Sequence, residues 1–225
     1  MSILNEIPSY QEGKNQLNEH ISSNIPLEIK IKFDQDADQL TEQFQSPLKL
    51  RKGDKAPLFE SPNAAGHIVK LNDLLKHGPV VLTFYRGTWC PFCNLALSMY
   101  QKILPQIKER GASLVAISAQ TPDHSLTMKE KNELDFEVLS DSHNVVTRQY
   151  TSIFQNNADA IAVMKQLGLD FHSFYSDNSG ELPVPALYII DKQGTVIFAG
   201  SKGGDYRERT EPAEIIEALD NIQLA

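Results

Sequence analysis

Cysteine is nearly missing from this chain. Only two occur in 225 residues, and both fall in the stretch Arg86-Gly87-Thr88-Trp89-Cys90-Pro91-Phe92-Cys93. Charge of one sign is short as well: 21 Lys and Arg stand against 29 Asp and Glu, a formal net charge of −8 with no basic run. That argues against a phosphate-binding surface, so no nucleic-acid partner is expected. No apolar run approaches the roughly 20 residues of a membrane helix. The start, MSILNEIPSYQEGKNQLNEH, lacks the charged, apolar and small-residue order of a signal peptide. The expectation is a cytoplasmic protein that engages no membrane.

In a reducing cytosol a stable structural disulfide is not expected, so a CxxC there points to catalysis or to a metal. A zinc site takes four ligands, from a second CxxC or a His pair at matching spacing. No third cysteine exists, and His20, His67, His77, His124, His143 and His172 are dispersed. Two purely structural thiols would more usually be scattered through a core. Redox chemistry remains, with no metal and no cofactor required.

What is present reads as an ordinary globular chain, 41% hydrophobic and 22% charged, long enough to bury a core. Residues 1–50 differ in texture from the rest. They are polar, with apolar residues at helical intervals such as Leu17-Ile21 and Leu40-Phe44, and Pro26 marks a break. This N-terminal helical extension must cover something, either the domain that follows or a second subunit in a homodimer.

From residue 51 the pattern changes. Val80 to Tyr85 and Ser113 to Ser118 read as strands, with a helix between them running to Glu109 and stopping at Gly111. Thr121-Pro122 opens a helix to about Leu134. Phe136–Leu139 reads as a strand and Ser142–Tyr150 as a helix. Ala186–Asp191 and Thr195–Ala199 make a hairpin about Lys192-Gln193-Gly194, and Glu211-Pro212 opens a last helix. The result is an α/β domain over 51–225 with a mixed central sheet.

The cysteines sit where a buried strand gives way to a helix. The i,i+3 spacing brings the sulfurs within bridging range. The free N–H groups of the helix start favour a thiolate. Such a pair cycles between dithiol and disulfide by thiolate attack.

Gly53-Asp54-Lys55-Ala56-Pro57-Leu58-Phe59 resembles the GDxAPxF opening of peroxiredoxins of the alkyl hydroperoxide reductase and thiol-specific antioxidant family. Asn63–Gly66 with Val69–Leu71 resembles the family's first hairpin, and Leu187–Gly194 its YIID-x-x-G strand. Trp89-Cys90-Pro91-Phe92-Cys93 resembles the WCxxC of thioredoxin. The resemblance implies a thioredoxin fold over residues 51–225 and a thiol-based oxidoreductase. Its substrate would be a hydroperoxide or a disulfide, and its reductant a thioredoxin-type donor.

The departures matter as much. Laid without gaps, the family's PxxxTxxC falls on Arg86, Cys90 and Cys93, and its second active-site Arg falls on Pro185. The Thr that orients peroxide and the Arg that lowers the thiol pKa are then both missing. By the thioredoxin resemblance Pro185 is a cis-Pro facing the CxxC. Arg86 is either a cation beside the thiols or a solvated side chain, Thr88 and Trp89 flank the motif, and Trp89 shields it. The loop Lys202–Arg209 could reach the site, but a surface loop is the preferred reading.

A thiol-dependent peroxidase cycling between the Cys90-Cys93 dithiol and disulfide is therefore expected. Its rivals are a thiol–disulfide oxidoreductase acting on proteins and a non-enzymatic redox-sensing module. The thioredoxin pattern makes Cys90 the attacking thiol and the ungapped peroxiredoxin pattern makes it Cys93. Access and nearness to the helix start favour Cys90.

Overall fold

The computed structural model describes residues 7–223; residues 1–6 and the last two lie outside the described chain. Helix α1 (Tyr10–Asn24) is capped by Ser9, whose hydroxyl accepts the Glu12 N–H at 3.3 Å. It ends at Ile25, extended at φ −114° and ψ 135° because the next residue is Pro26, and α2 (Leu27–Gln43) follows. A hairpin of β1 (Glu60–Pro62) and β2 (Ile68–Lys70) leads into α3 (Leu71–His77) and β3 (Val80–Phe84). Then come α4 (Pro91–Lys102), α5 (Leu104–Glu109), β4 (Ser113–Ser118), α6 (Pro122–Lys131) and β5 (Glu137–Ser140). The chain continues through β6 (Ile153–Gln155), α7 (Ala158–Gln166), β7 (Glu181–Pro183), β8 (Ala186–Ile190), β9 (Val196–Gly200) and α8 (Pro212–Gln223).

Five strands form one sheet in the order β5-β4-β3-β8-β9. β3 pairs parallel with β4 and β4 with β5, whereas β8 is antiparallel to both β3 and β9. The sheet is therefore mixed and flanked by helices, a thioredoxin fold preceded by a helical segment. All five β3 residues are buried, because both faces of the sheet are covered. Val81 points to the side of α4, where Leu97, Tyr100 and Ile215 pack, and Val80, Leu82 and Phe84 point to Leu71, Leu75 and Tyr150. α1 packs on α4, and α2 on α7, so these two helices cover their own chain. Among the described residues no helix is long and apolar enough to cross a membrane.

Three local expectations need correction. The helix expected to run on to Glu109 breaks at Ile103, because Pro105 in the first turn of α5 has no N–H to continue the ladder. Ser142–Tyr150 forms two 3₁₀ turns instead of a helix. His143 and Asn144 have φ of 63° and 55° there, and the Asp141 carboxylate takes the N–H groups of Val146 and Thr147 at 3.0 and 2.8 Å. Finally, no described peptide bond is cis, so Val184-Pro185 is trans. The reason is continuity of extended chain: β7 pairs with β6, the Val184 N–H donates to the Ser152 carbonyl at 2.9 Å, and the strand direction carries on into β8.

Candidate active site

β3 ends at the rim of the sheet, and Arg86–Trp89 turn the chain into α4. Cys90 is the N-cap of that helix, Pro91 its first residue, and Cys93 lies within its first turn. The Asn94 side chain locks the turn by donating to the carbonyls of Thr88 and Cys90 at 2.7 and 2.8 Å. Gly87 is required by space: a Cβ there would lie 2.6 Å from the Trp89 indole nitrogen. Thr88 is buried and tied to Gln120. Its N–H donates to Gln120 Oε1 at 2.8 Å, and its hydroxyl lies 3.0 Å from the same oxygen.

Both cysteines are free and buried, Cys90 at 1% exposure and Cys93 at 0%. Surface exposure therefore barely separates the two thiols, since α1 and α2 lie across the motif, although Cys90 lines the cavity between these helices and Cys93 does not. The missing arginine arrives from elsewhere in the chain. Arg209, at 7% exposure, points its Nη2 at Cys93 Sγ at 3.0 Å, while Nη1 donates to the carbonyls of Tyr206 and Glu208 at 2.6 Å each. The segment read as a surface loop thus delivers a buried cation to the thiol. Loop 201–210 folds inward because Gly204 allows it to touch α2, where a Cβ would lie 1.9 Å from the Leu40 carbonyl oxygen.

The two thiols are electrostatically unequal. Burial opposes ionisation of Cys93, yet its thiol sits well below the ordinary range. The Cys90 thiol donates to it, and the Arg209 charge, the Arg86 backbone N–H and the Arg86 charge add to that effect. Cys90 is pushed well above the ordinary range, first by burial and then by holding the proton it shares with Cys93. The proton of the pair rests on Cys90 and the negative charge on Cys93. In return, the Cys93 charge helps keep Arg209 protonated against its burial.

Arg86 is not solvated. At 4% exposure, its guanidinium lies 3.9 Å from the Tyr206 ring centre, 4.9 Å from Trp89 and 5.5 Å from Phe154. The Trp89 indole donates to the Tyr175 hydroxyl at 2.9 Å, and that hydroxyl donates to the Arg86 carbonyl at 2.9 Å. Asp36 of α2 is raised by burial and held down in part by the Arg86 charge. From α1, Tyr10 donates its hydroxyl to the Arg207 carbonyl at 2.7 Å, beside Arg209. Pro185 lines a small recess with Thr83, Tyr100 and Arg209. A larger apolar cavity of about 310 Å³ lies between α1, α2 and α4, with Cys90 and Arg86 in its wall.

Asp36, Tyr10, Asn94 and Arg209 escaped the reading of the sequence. Only Arg209 carried a signal, as one of two arginines in the glycine-containing loop Lys202–Arg209.

A vicinal dithiol at a helix start in a thioredoxin fold, with one sulfur ionised against an arginine, defines a thiol oxidoreductase scaffold. Residues 52–199 match the AhpC/TSA family, and the chain belongs to it. It is 26% identical over 178 residues to the chloroplastic peroxiredoxin Q of Gentiana triflora, covering 79% of this chain and 69% of that protein. It is 25% identical over 169 residues to the thiol-disulfide oxidoreductase ResA of Bacillus cereus, covering 75% and 79%. The solved peroxidoxin BcpB of Mycobacterium tuberculosis superposes with a TM-score of 0.60 at 22% identity, over 77% of this chain and 98% of that one. The matched segment begins after α2 and ends before Arg209, so both the helical cover and the thiol's arginine lie outside it.

Proposed function

We propose that the protein is a thiol-dependent peroxidase in which Cys93 attacks and Cys90 resolves. The observation that carries this is the buried Cys93 sulfur held as thiolate by Arg209 and by the Cys90 thiol; the thiolate is the nucleophile of thiol chemistry. Cys93 attacks the terminal oxygen of the hydroperoxide. An S–O bond forms, the O–O bond breaks, and the alkoxide leaves and takes up a proton as alcohol. Arg209 places a positive charge where negative charge builds. Cys90 then loses its proton and attacks the Cys93 sulfenic acid, expelling hydroxide, which becomes water, and closing the Cys90-Cys93 disulfide. A thioredoxin-type dithiol reduces that disulfide and is itself oxidised, returning both thiols.

This assignment reverses the sequence-based preference for Cys90. It is supported by the charge distribution and by the peroxiredoxin resemblance, which puts the peroxide-attacking cysteine at position 93. Stopped-flow oxidation of the reduced protein by hydroperoxide, set against its reduction of a model disulfide, tests the reading. Peroxide oxidation that outpaces disulfide exchange supports it. Exchange without peroxide consumption overturns it.

One observation favours a second reading, a thiol–disulfide oxidoreductase. Cys90, not Cys93, lines the cavity, and a first thiol facing a substrate space is how a CxxC meets a disulfide. Cys93 would then serve as base for Cys90, and peroxide would be a poor substrate.

A further inference from the structure

We propose that the cavity between α1, α2 and α4 admits a small, uncharged apolar thiol that reduces the Cys90-Cys93 disulfide at Cys90, a route beside that of a protein dithiol. The inference rests on the disulfide of the peroxidase reading and is independent of the oxidant that forms it.

The cavity of about 310 Å³ is walled by Leu17 and Ile21 of α1, Phe33 of α2, and Met164 and Leu169 from α7 and its end. Cys90 lies in its wall and Cys93 does not, although the two residues are almost equally hidden from the surface. That volume is at the small end of ligand pockets, roughly 300–1,000 Å³. It holds a small molecule and excludes a folded donor, which would have to displace α1 and α2 to touch Cys90 from this side. The rim charges already face one another. Lys30 pairs with Asp34 at 2.6 Å, and Arg207 pairs with Asp34, Asp38 and Asp205 at 2.9, 2.7 and 2.9 Å. A neutral apolar body suits this rim and these walls better than a charged one.

Cys90 is also the sulfur at which attack is easier. Exchange is faster when the departing thiol has the lower pKa. Attack at Cys90 expels Cys93, whose sulfur faces Arg209 Nη2 at 3.0 Å and whose thiol sits well below the ordinary range. Attack at Cys93 would expel Cys90, a poorer leaving group held well above that range. Arg86 shares the cavity wall with Cys90, and its Nε is buried without a hydrogen-bond partner. The sulfur of an incoming thiolate supplies the acceptor. That thiolate forms an S–S bond to Cys90 as the Cys90-Cys93 bond breaks, and the electron pair leaves on Cys93. A second thiol then attacks the reductant's own sulfur in the mixed disulfide. The reductant departs as its disulfide, Cys90 takes up one proton, and the other is released to solvent. Two thiols have lost two electrons and the protein has gained them.

The test uses the full chain with its disulfide formed by diamide, and two small thiols of similar acidity, phenylmethanethiol and 2-mercaptoethanol. Acid quenching, alkylation and mass spectrometry follow the reduction. Phenylmethanethiol should react at least about tenfold faster, the effect of burying a phenyl-sized group. Under limiting thiol its mixed disulfide should lie on Cys90. Ile21→Trp and Leu169→Trp fill the cavity from the α1 and α7 sides, and each should bring the ratio of the two rates toward one by slowing phenylmethanethiol. A wild-type ratio near one, a mixed disulfide on Cys93, or a ratio unchanged in both variants overturns the proposal. The first two readouts need no variant, so a folding defect in either substitution leaves the proposal decidable. A chain that passes these tests but consumes no hydroperoxide keeps the thiol port and loses the peroxidase reading. A chain in which diamide forms no Cys90-Cys93 disulfide loses both.

Discussion

Replacing Arg209 with Met removes the charge beside Cys93 while keeping most of the buried stem. The structure sets the scale of the effect. A buried guanidinium donates to Cys93 Sγ at 3.0 Å, and hydrogen bonds to charged groups contribute about 1.5–3 kcal/mol. At about 1.4 kcal/mol per tenfold, the reaction with hydroperoxide near neutral pH should slow roughly ten- to a hundredfold. Two assays read it: ultraviolet absorbance of the thiolate followed against pH, and stopped-flow oxidation of the reduced protein. In Arg209→Met the absorbance should appear at higher pH than in wild type, and the lost rate should return as the solution is made alkaline. Arg209→Lys keeps a charge without the planar fork and should recover part of the rate. A folded Met variant with an unchanged thiolate titration and rate would refute the role given to Arg209.

Other consequences follow from the same geometry. Cys93 is shifted down, so its contribution to stability is complete above the ordinary thiol range and lost as pH falls through its folded value. Cys90 is shifted up, so its contribution is complete below that range and lost as pH rises through its folded value. Denaturant unfolding of the reduced protein, less that of a Cys90→Ala/Cys93→Ala double variant, should therefore peak around the ordinary thiol pKa of about 8.5; a difference that only rises or only falls contradicts the assignment. Asn94→Ala leaves the Thr88 and Cys90 carbonyls without their side-chain donor, a loss of about 1–3 kcal/mol. Thermal melting should fall by roughly 2–12 °C, and an unchanged melt would show that the turn does not depend on it. Gly204→Ala drives a Cβ into the α2 backbone and should destabilise by about 1–3 kcal/mol. It should also raise the pH at which Cys93 ionises, because the displaced loop carries Arg209; a melt and titration like wild type would contradict that coupling.

Much of the fold was legible because the sheet strands announce themselves. Val80–Phe84 and Ser113–Ser118 are apolar runs bounded by Gly-Pro or Gly, and a strand covered on both faces needs such a run. The Pro26 break and the Gly194 turn were equally plain, since each depends on a residue's own backbone limits. Ser142–Tyr150 misled because its shape comes from Asp141, a side chain capping a loop, and not from periodicity. Pro185 misled because a resemblance in sequence position carried over a peptide geometry that the β7–β8 extension does not permit. At the site, the CxxC was legible from its spacing. Arg209 was not, since it lies 116 residues from Cys93 and reaches it only through the packing of loop 201–210 on α2. The unequal charge on the two thiols is likewise a tertiary effect: spacing alone favoured Cys90, whereas the Arg209 contact and the Cys90 thiol favour a thiolate on Cys93.

The central claim, that Cys93 is the attacking thiolate, is tested most directly by single-turnover oxidation of Cys90→Ser and Cys93→Ser with one equivalent of hydroperoxide. Dimedone trapping and peptide mass spectrometry then locate the sulfenic acid. The account predicts a trapped sulfenic acid on Cys93 in Cys90→Ser, formed at a rate within about tenfold of wild type, and slow oxidation of Cys93→Ser. Rapid formation of a sulfenic acid on Cys90 in Cys93→Ser, with Cys90→Ser inert, would contradict it.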